Sequence, residues 1–161
     1  MVGLALLSWQ GQSHWGSDRA LWEQAVAMTP DRPRPHINLG RTYDLEDDYW
    51  RAGIAYKTAL QEAYDPRRGL LWRKEVRATV EVNIAHLLLR QGYAASAMRE
   101  LDTVIATYPQ FPYAHYNRGA TLKFLGACVE AMQEYAMALN YMKAQGRSLL
   151  PLPESCVPAT N

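Results

Sequence analysis

One stretch of the chain, residues 112–143, constrains the fold more than any other. Its apolar residues recur at the spacing of two amphipathic helices, and Gly126 lies where a tight turn would join them. Small residues, Gly119, Ala131 and Ala138, occur where the two helices would have to touch. Because such residues hold no bulky side chain between the backbones, the stretch predicts a closely packed helical hairpin.

The pattern of residues 112–143 recurs twice nearer the N-terminus. Asn38, Asn83 and Asn117 occupy equivalent positions, and they are 45 and 34 residues apart. A period of about 34 residues is typical of helix–turn–helix repeats, so the wider gap contains 11 additional residues. No residue from Leu70 to Gln91 breaks a helix, and we therefore expect the insertion to lengthen the next helix at its N-terminal end.

The recurrence divides the chain into six segments. The last segment is rich in proline, which excludes a helix there, and we expect it to be flexible. The segments are a degenerate N-terminal repeat (1–30), a first full repeat (33–66), the insertion (67–77), a second full repeat (78–111), a third full repeat (112–145) and the tail (146–161).

The repeats resemble the tetratricopeptide repeat (TPR) family. That resemblance implies an all-α fold, a TPR α-solenoid in which helix–turn–helix units stack into a right-handed superhelix with a concave, partner-binding face. The second repeat departs from the pattern, with Ala85 for the glycine and Leu88 for the tyrosine, although both remain apolar. The residues that carry the resemblance are Leu39, Gly40, Tyr43, Ala52, Tyr56 and Ala59 in the first repeat and Gly119, Leu122, Gly126, Ala131, Tyr135 and Ala138 in the third.

The TPR resemblance also implies where a peptide would bind. In TPR proteins the side chain before the signature leucine points into the groove, and Asn38, Asn83 and Asn117 occupy that position here. An amide offers both donors and an acceptor, which matches the backbone of an extended peptide. The alternative is that each asparagine merely bonds to a neighbouring helix. The same alignment places Arg41, His86, Tyr113 and Tyr116 on the concave face.

Two tryptophans are candidates for partner binding. Trp50 occupies a position that is normally polar and exposed, and Trp72 lies in the insertion. An exposed aromatic residue is a common interface anchor. An apolar patch of this size is costly to expose, however, and we expect Leu71 and Trp72 to fold back over Trp50.

Composition and motifs argue against several functions. The net charge is +1 and the basic residues are dispersed, which disfavours nucleic-acid binding. The sequence contains no HExxH, GxSxG, CxxC or phosphate-loop motif, so we expect no enzyme activity, no cofactor and no metal. His36 and His115 replace an aromatic core residue of the repeat and are expected to be buried. Cys128 and Cys156 are too few for a disulfide framework, and whether they pair stays open.

The N-terminal part has a second resemblance. Residues 1–7 are apolar but too short to span a bilayer, which takes about 20 residues. The run from His14 to Gly40 resembles the junction between membrane and TPR domains in TPR-containing O-mannosyltransferase-like membrane proteins. That implies an accessory role on the extracytoplasmic face, with no catalytic residue in this chain. The matching residues are Trp15, Leu21, Trp22, Ala25, Val26, Pro30, Arg34, Pro35, His36, Asn38, Leu39 and Gly40.

The sequence therefore predicts a non-catalytic protein–protein interaction module that holds an extended peptide in a groove. Two alternatives stay open: a soluble accessory domain of a membrane glycosyltransferase system, attached through a missing N-terminal region, and a scaffold that self-assembles into homo-oligomers through an uncapped last repeat. A complete chain would be cytoplasmic. The identity of the partner does not follow from the sequence.

Overall fold

A computed structural model describes residues 18–64, 67, 69–148 and 150. These residues form seven helices and no strand, which confirms the predicted all-α fold. Residues 1–17 and most of the tail lie outside the described part. The helices are α1 (Asp18–Met28), α2 (Pro33–Leu45), α3 (Tyr49–Glu62), α4 (Leu70–Arg90), α5 (Ala94–Thr107), α6 (Pro112–Phe124) and α7 (Cys128–Ala144).

The chain divides into two compact units between Gly69 and Leu70. In the first unit, α2 packs against both α1 and α3. In the second unit, α4 pairs with α5, α6 pairs with α7, and α6 also contacts both α4 and α5. Helices α4 and α6 are therefore neighbours within one unit.

A glycine on one helix and a tyrosine on the next set the spacing of two of the hairpins. A Cβ atom added to Gly40 would lie 2.5 Å from Cε1 of Tyr56, and one added to Gly119 would lie 2.9 Å from Cε1 of Tyr135. Both tyrosines are almost completely buried. The rings thus occupy the space that a larger residue would need, and the two hairpins close by the same contact.

The middle hairpin, α4–α5, uses a different pair at the same positions. Ala85 takes the place of the glycine and Leu101 the place of the tyrosine, and both are fully buried. They belong to a core cluster that also contains Val82 and Val104. An extra methyl on α4 is accommodated because the partner side chain on α5 is smaller than a tyrosine ring.

The three hairpin turns share one hydrogen bond. The backbone N–H groups of Asp48, Tyr93 and Ala127 donate to the carbonyls of Tyr43, Leu88 and Leu122, at 2.9, 2.9 and 3.0 Å. The residue before each donor has positive φ: 60° at Asp47, 83° at Gly92 and 81° at Gly126. This left-handed residue and its hydrogen bond end the first helix of each hairpin.

Helix α4 is the longest, with 21 residues, and it begins directly after Gly69. Its second half contributes Ala78, Val82 and Ala85 to the core of the second unit. Its first turn instead exposes Leu70 and Leu71, which are 58% and 81% accessible. The first turn of α4 therefore lies at the edge of the second unit and does not contribute these leucines to its core.

Candidate functional site

The three asparagines of the expected ladder have different environments. Each is half-buried, Asn38 on α2, Asn83 on α4 and Asn117 on α6. Asn117 Nδ2 donates to the carbonyl of Tyr113, 2.8 Å away on its own helix. Only Asn83 and Asn117 belong to the same unit, so a ladder through all three stays a prediction.

Asn83 is the unusual member of this set. Its Nδ2 is buried and has no hydrogen-bond partner among the residues that the structure describes. A buried donor without a partner costs about 1–3 kcal/mol. A bound group that gave this amide a partner would recover part of that energy.

Helix α6 presents two tyrosines beside Asn117. Tyr113, Tyr116 and Asn117 follow the i, i+3, i+4 spacing and share one face of the helix. The Tyr116 ring packs edge-on against Tyr135, with centroids 5.2 Å apart, and the Tyr113 ring lies 5.6 Å from that of Phe111. Both predicted groove residues are therefore held in place by internal contacts.

The other predicted binding residues are more scattered. Arg41 is exposed on α2, in the first unit, whereas His86 is half-buried on α4, in the second. Trp50 is 79% exposed and Leu71 is 81% exposed, so the expectation that Trp50 is covered is wrong. Within α3, Ala52, Tyr56 and their neighbours are the residues that pack against α2. The Trp50 side chain is directed away from this contact. Trp72 is half-buried.

An open cleft of about 450 Å³ lies in the second unit, at the start of α4. Its α4 wall includes Leu71, Lys74 and Glu75, and its opposite wall is the α5–α6 connection with Tyr108 and Phe111. Arg147, which follows α7, completes the rim. We call this feature the α4 cleft. The sequence signal that marks it is the insertion, whose exposed Leu71 lies in the α4 wall.

Arg147 connects α4 and α6 at the rim of the α4 cleft. Its guanidinium donates to Glu75 Oε1 at 2.6 Å and lies 5.7 Å from the centre of the Tyr113 ring. The Glu75 carboxylate is the main reason that the pKa of Arg147 is raised. Because Tyr113 also contacts Phe111 in the cleft wall, the cleft is continuous with the face of α6 that bears Asn117.

A buried charged cluster lies between α6 and α7. His115 Nε2 lies 2.8 Å from the carbonyl of Pro109, and its Nδ1 lies 2.7 Å from Glu134. The other oxygen of Glu134 accepts from Arg118, which also donates to Asp102 at 2.9 Å. These groups bind one another inside the unit, which indicates a structural role rather than a reacting group.

Both histidines occupy the core, as the sequence predicts. His36 is 8% exposed and His115 is 6% exposed. His36 Nε2 lies 2.9 Å from the carbonyl of Pro30, the counterpart of the bond from His115 to Pro109. The participation of Arg118 and Glu134 was not predicted, because no local motif connects them.

Cys128, the first residue of α7, is disulfide-bonded and 8% exposed. Cys156 lies outside the described residues. In the described part of the chain, no group of three or more histidine, cysteine or acidic residues is placed to hold a metal ion. No described helix is both long enough and apolar enough to cross a membrane.

Comparison with known proteins assigns no family. The sequence matches no protein-family model and no curated protein. The resemblances to TPR proteins and to O-mannosyltransferase-like membrane proteins thus stay predictions.

Proposed function

We propose that this chain is a non-catalytic protein-interaction module that binds an extended segment of a partner along α4 and α6 of the second unit. One observation carries the proposal. Two neighbouring helices of the second unit present half-buried asparagines, one of them with an unpartnered donor, and the same unit contains an open, largely apolar cleft.

The asparagines suit the backbone of the partner. An extended peptide offers a carbonyl and an N–H at every residue, and it cannot satisfy these groups by itself. Asn83 supplies a donor that lacks a partner in the second unit. Asn117 uses its Nδ2 within α6, so its Oδ1 is the atom that would accept a peptide N–H.

The α4 cleft suits one side chain of the partner. Leu71, Tyr108 and Phe111 give it apolar walls, which favour a bulky apolar residue. Lys74 and Arg147 stand at the rim against a single carboxylate, Glu75. This balance favours a partner segment that carries an acidic residue next to its apolar anchor.

Recurrence of the hairpin contacts supports a TPR-like α-solenoid as the architecture behind this binding. Each hairpin has a small residue facing a large buried one 16 positions later: Gly40 and Tyr56, Ala85 and Leu101, Gly119 and Tyr135. Units of this kind bury their apolar faces against their neighbours and leave an inner surface for ligands.

A library of extended peptides, with and without an acidic residue beside a bulky apolar one, tests the proposal. We expect a selected peptide to lose about fivefold in affinity on Asn83→Ala, since one hydrogen bond contributes about 1 kcal/mol. Asn140→Ala on α7 is the matched control, because this asparagine is exposed on another helix, and it should leave the affinity unchanged. Affinities indifferent to changes at Asn38, Asn83 and Asn117 would remove the asparagine contacts from the proposal.

The cleft is tested separately with the same peptide. Leu71→Ser removes an apolar wall from an 81% exposed position and should weaken binding severalfold without affecting stability. Leu125→Ser, at a 55% exposed position after α6, is the control. Equal losses in the two variants would show that the cleft does not take the anchor.

No described residue favours either alternative function. His14 and Trp15, which begin the junction-like run, lie outside the described part of the chain. The accessory role in a membrane glycosyltransferase system therefore rests on sequence resemblance alone. Self-assembly through the last repeat likewise rests on the sequence pattern alone.

A further inference from the structure

The charged groups that line the α4 cleft are not equivalent. Lys74 and Glu75 belong to its α4 wall, and Arg147 stands at its rim. These three are its charged lining residues, two positive and one negative. What each of them contacts decides which charge the cleft can offer to a ligand.

Arg147 and Glu75 are occupied with each other. Nη2 of Arg147 donates to Oε1 of Glu75 at 2.6 Å, and the guanidinium also lies over the Tyr113 ring of α6. A carboxylate that approached Arg147 from outside would therefore meet the negative charge of Glu75 as well. The pair cancels its own charge and leaves little attraction for an acidic ligand.

Lys74 is the uncompensated charge of the cleft. It is exposed, and within the described part of the chain it takes part in no ion pair or hydrogen bond of its side chain. It follows Leu71 by three residues, so the two side chains are neighbours on one face of α4. A lysine can lay its methylene stem along such an apolar side chain while its ammonium group stays in water. One free positive charge thus stands directly beside an apolar wall.

The opposite wall, the α5–α6 connection, offers mainly apolar surface. Three consecutive carbonyls of this connection already accept internal hydrogen bonds. The carbonyls of Tyr108, Pro109 and Gln110 accept from the Phe111 N–H at 3.0 Å, from His115 Nε2 at 2.8 Å and from Gln145 Nε2 at 2.8 Å. The side chains of Tyr108 and Phe111 therefore remain as the principal contacts for a ligand on this side.

We propose, on the basis of the proposed function, that Lys74 determines the charge specificity of the α4 cleft and that the Glu75–Arg147 pair limits it to one carboxylate. The occupant is a segment of a partner protein. Its bulky apolar side chain lies between Leu71 and Phe111, and one acidic side chain beside this anchor pairs with Lys74. Charge complementarity with the net single positive charge of the lining residues favours this occupant.

Three peptides that differ only in charge test the role of Lys74. They carry no, one or two glutamates beside the same apolar anchor, with glutamine in the other positions. At low ionic strength, where exposed ion pairs are least screened, the peptide with one glutamate should bind about two- to fivefold more tightly than the neutral peptide. The second glutamate should add no further affinity, because it faces Glu75.

Lys74→Gln should abolish this preference, so that the neutral peptide and the peptide with one glutamate bind equally. Lys57→Gln is the matched control, because Lys57 is an exposed lysine of α3 that does not line the cleft. It should keep the wild-type preference. A preference that survives in Lys74→Gln would overturn the assignment of Lys74.

Glu75→Gln tests the limit to one carboxylate by a gain of affinity. The glutamine keeps an oxygen that can accept from Arg147, but it removes the charge that compensates the guanidinium. The peptide with two glutamates should then bind about two- to fivefold more tightly than the peptide with one. Equal affinities of these two peptides in Glu75→Gln would overturn the role of the Glu75–Arg147 pair.

Failure of this specificity and failure of the proposed function give different results. Peptides that bind and lose affinity on Leu71→Ser, but keep their charge preference in Lys74→Gln, would overturn the role of Lys74 alone. Peptides whose affinity is unaffected by Leu71→Ser would overturn binding in the cleft, and the charge specificity with it. Isothermal titration calorimetry of the full chain measures all of these affinities.

Discussion

The hairpins α2–α3 and α6–α7 are built from the same contacts at positions 79 residues apart. Gly40 meets Tyr56 as Gly119 meets Tyr135, and a histidine at the start of each hairpin binds the carbonyl of a preceding proline. Their interiors nevertheless differ. Ala55 and Leu39 stand in the first hairpin where Glu134 and Arg118 stand in the last. The backbone arrangement thus accepts either an apolar or an ion-paired filling.

Two kinds of interaction therefore stabilise these hairpins. Small and aromatic residues set how closely the helices approach, and this kind is shared. The buried charges are added only in α6–α7, where Glu134 joins His115 and Arg118. An ion pair buried in this way contributes little net stability, but removing Glu134 deprives His115 and Arg118 of the carboxylate that they share inside the unit.

The largest effect is expected from breaking the charged cluster. Glu134→Ala leaves His115 and Arg118 without their shared carboxylate and should lower the free energy of unfolding by about 3–5 kcal/mol. Urea unfolding followed by far-ultraviolet circular dichroism measures the change. The matched variant, Glu134→Ala with Arg118→Leu, copies the apolar pair of α2–α3 and should recover much of the loss. A double variant no more stable than Glu134→Ala would contradict the equivalence of the two hairpins.

A smaller effect is expected at the shared contact. Gly40→Ala places a methyl group against the buried Tyr56 ring and should cost about 1–3 kcal/mol through overpacking. Adding Tyr56→Leu reproduces the pair Ala85 and Leu101 of the middle hairpin and should reduce that cost, as a double-mutant cycle in urea would measure. Gly53→Ala on α3 is the control, since nothing lies within 4 Å of its added Cβ. It should stabilise the chain by up to about 1 kcal/mol.

A still smaller effect is expected at the helix caps. Asp48 is the N-cap of α3, and its carboxylate accepts from the Arg51 N–H at 3.0 Å. Ala127 is the N-cap of α7 and has φ and ψ within a few degrees of those of Asp48, but it makes no side-chain cap. Asp48→Ala should cost about 0.5–2 kcal/mol, and Ala127→Asp should gain a similar amount. Thermal unfolding of the two variants compares them. If Ala127→Asp leaves stability unchanged, the two turns are not interchangeable.

The smallest effect is expected from ionisation of the buried tyrosines. It should leave stability unchanged at neutral pH and lower it only at alkaline pH. Burial, followed by nearby Tyr116, raises the pKa of Tyr135 to about 12, and burial raises the pKa of Tyr56 as well. The folded state holds these protons more tightly than the unfolded state. Their stabilisation is therefore complete below about pH 10 and is lost as the pH rises through the folded pKa values.

Urea midpoints measured between about pH 8 and about pH 11 follow this loss. Tyr135→Phe should make the decline shallower, because one titrating hydroxyl is gone. An unchanged slope in that variant would mean that other groups cause the alkaline loss.

Local patterns in the sequence were sufficient for much of the fold. Gly92 and Gly126 mark turns because few other residues adopt positive φ, and the helical spacing on either side follows from burial of one face. The burial of His36 and His115 also followed from their place in the repeat. These features depend on residues a few positions apart, so the sequence alone determined that the chain forms paired helices with close contacts at the glycines.

Only the tertiary structure decided which side chains meet between helices. Glu134 joins His115 and Arg118, and the α4 cleft has its walls on α4 and on the α5–α6 connection. Trp50 is exposed although its size argued for cover. Such contacts depend on how one helix is rotated and placed against the next, and many residue pairs satisfy the same local pattern. The hairpins were therefore predictable from spacing, whereas the charged cluster and the cleft required the packed helices.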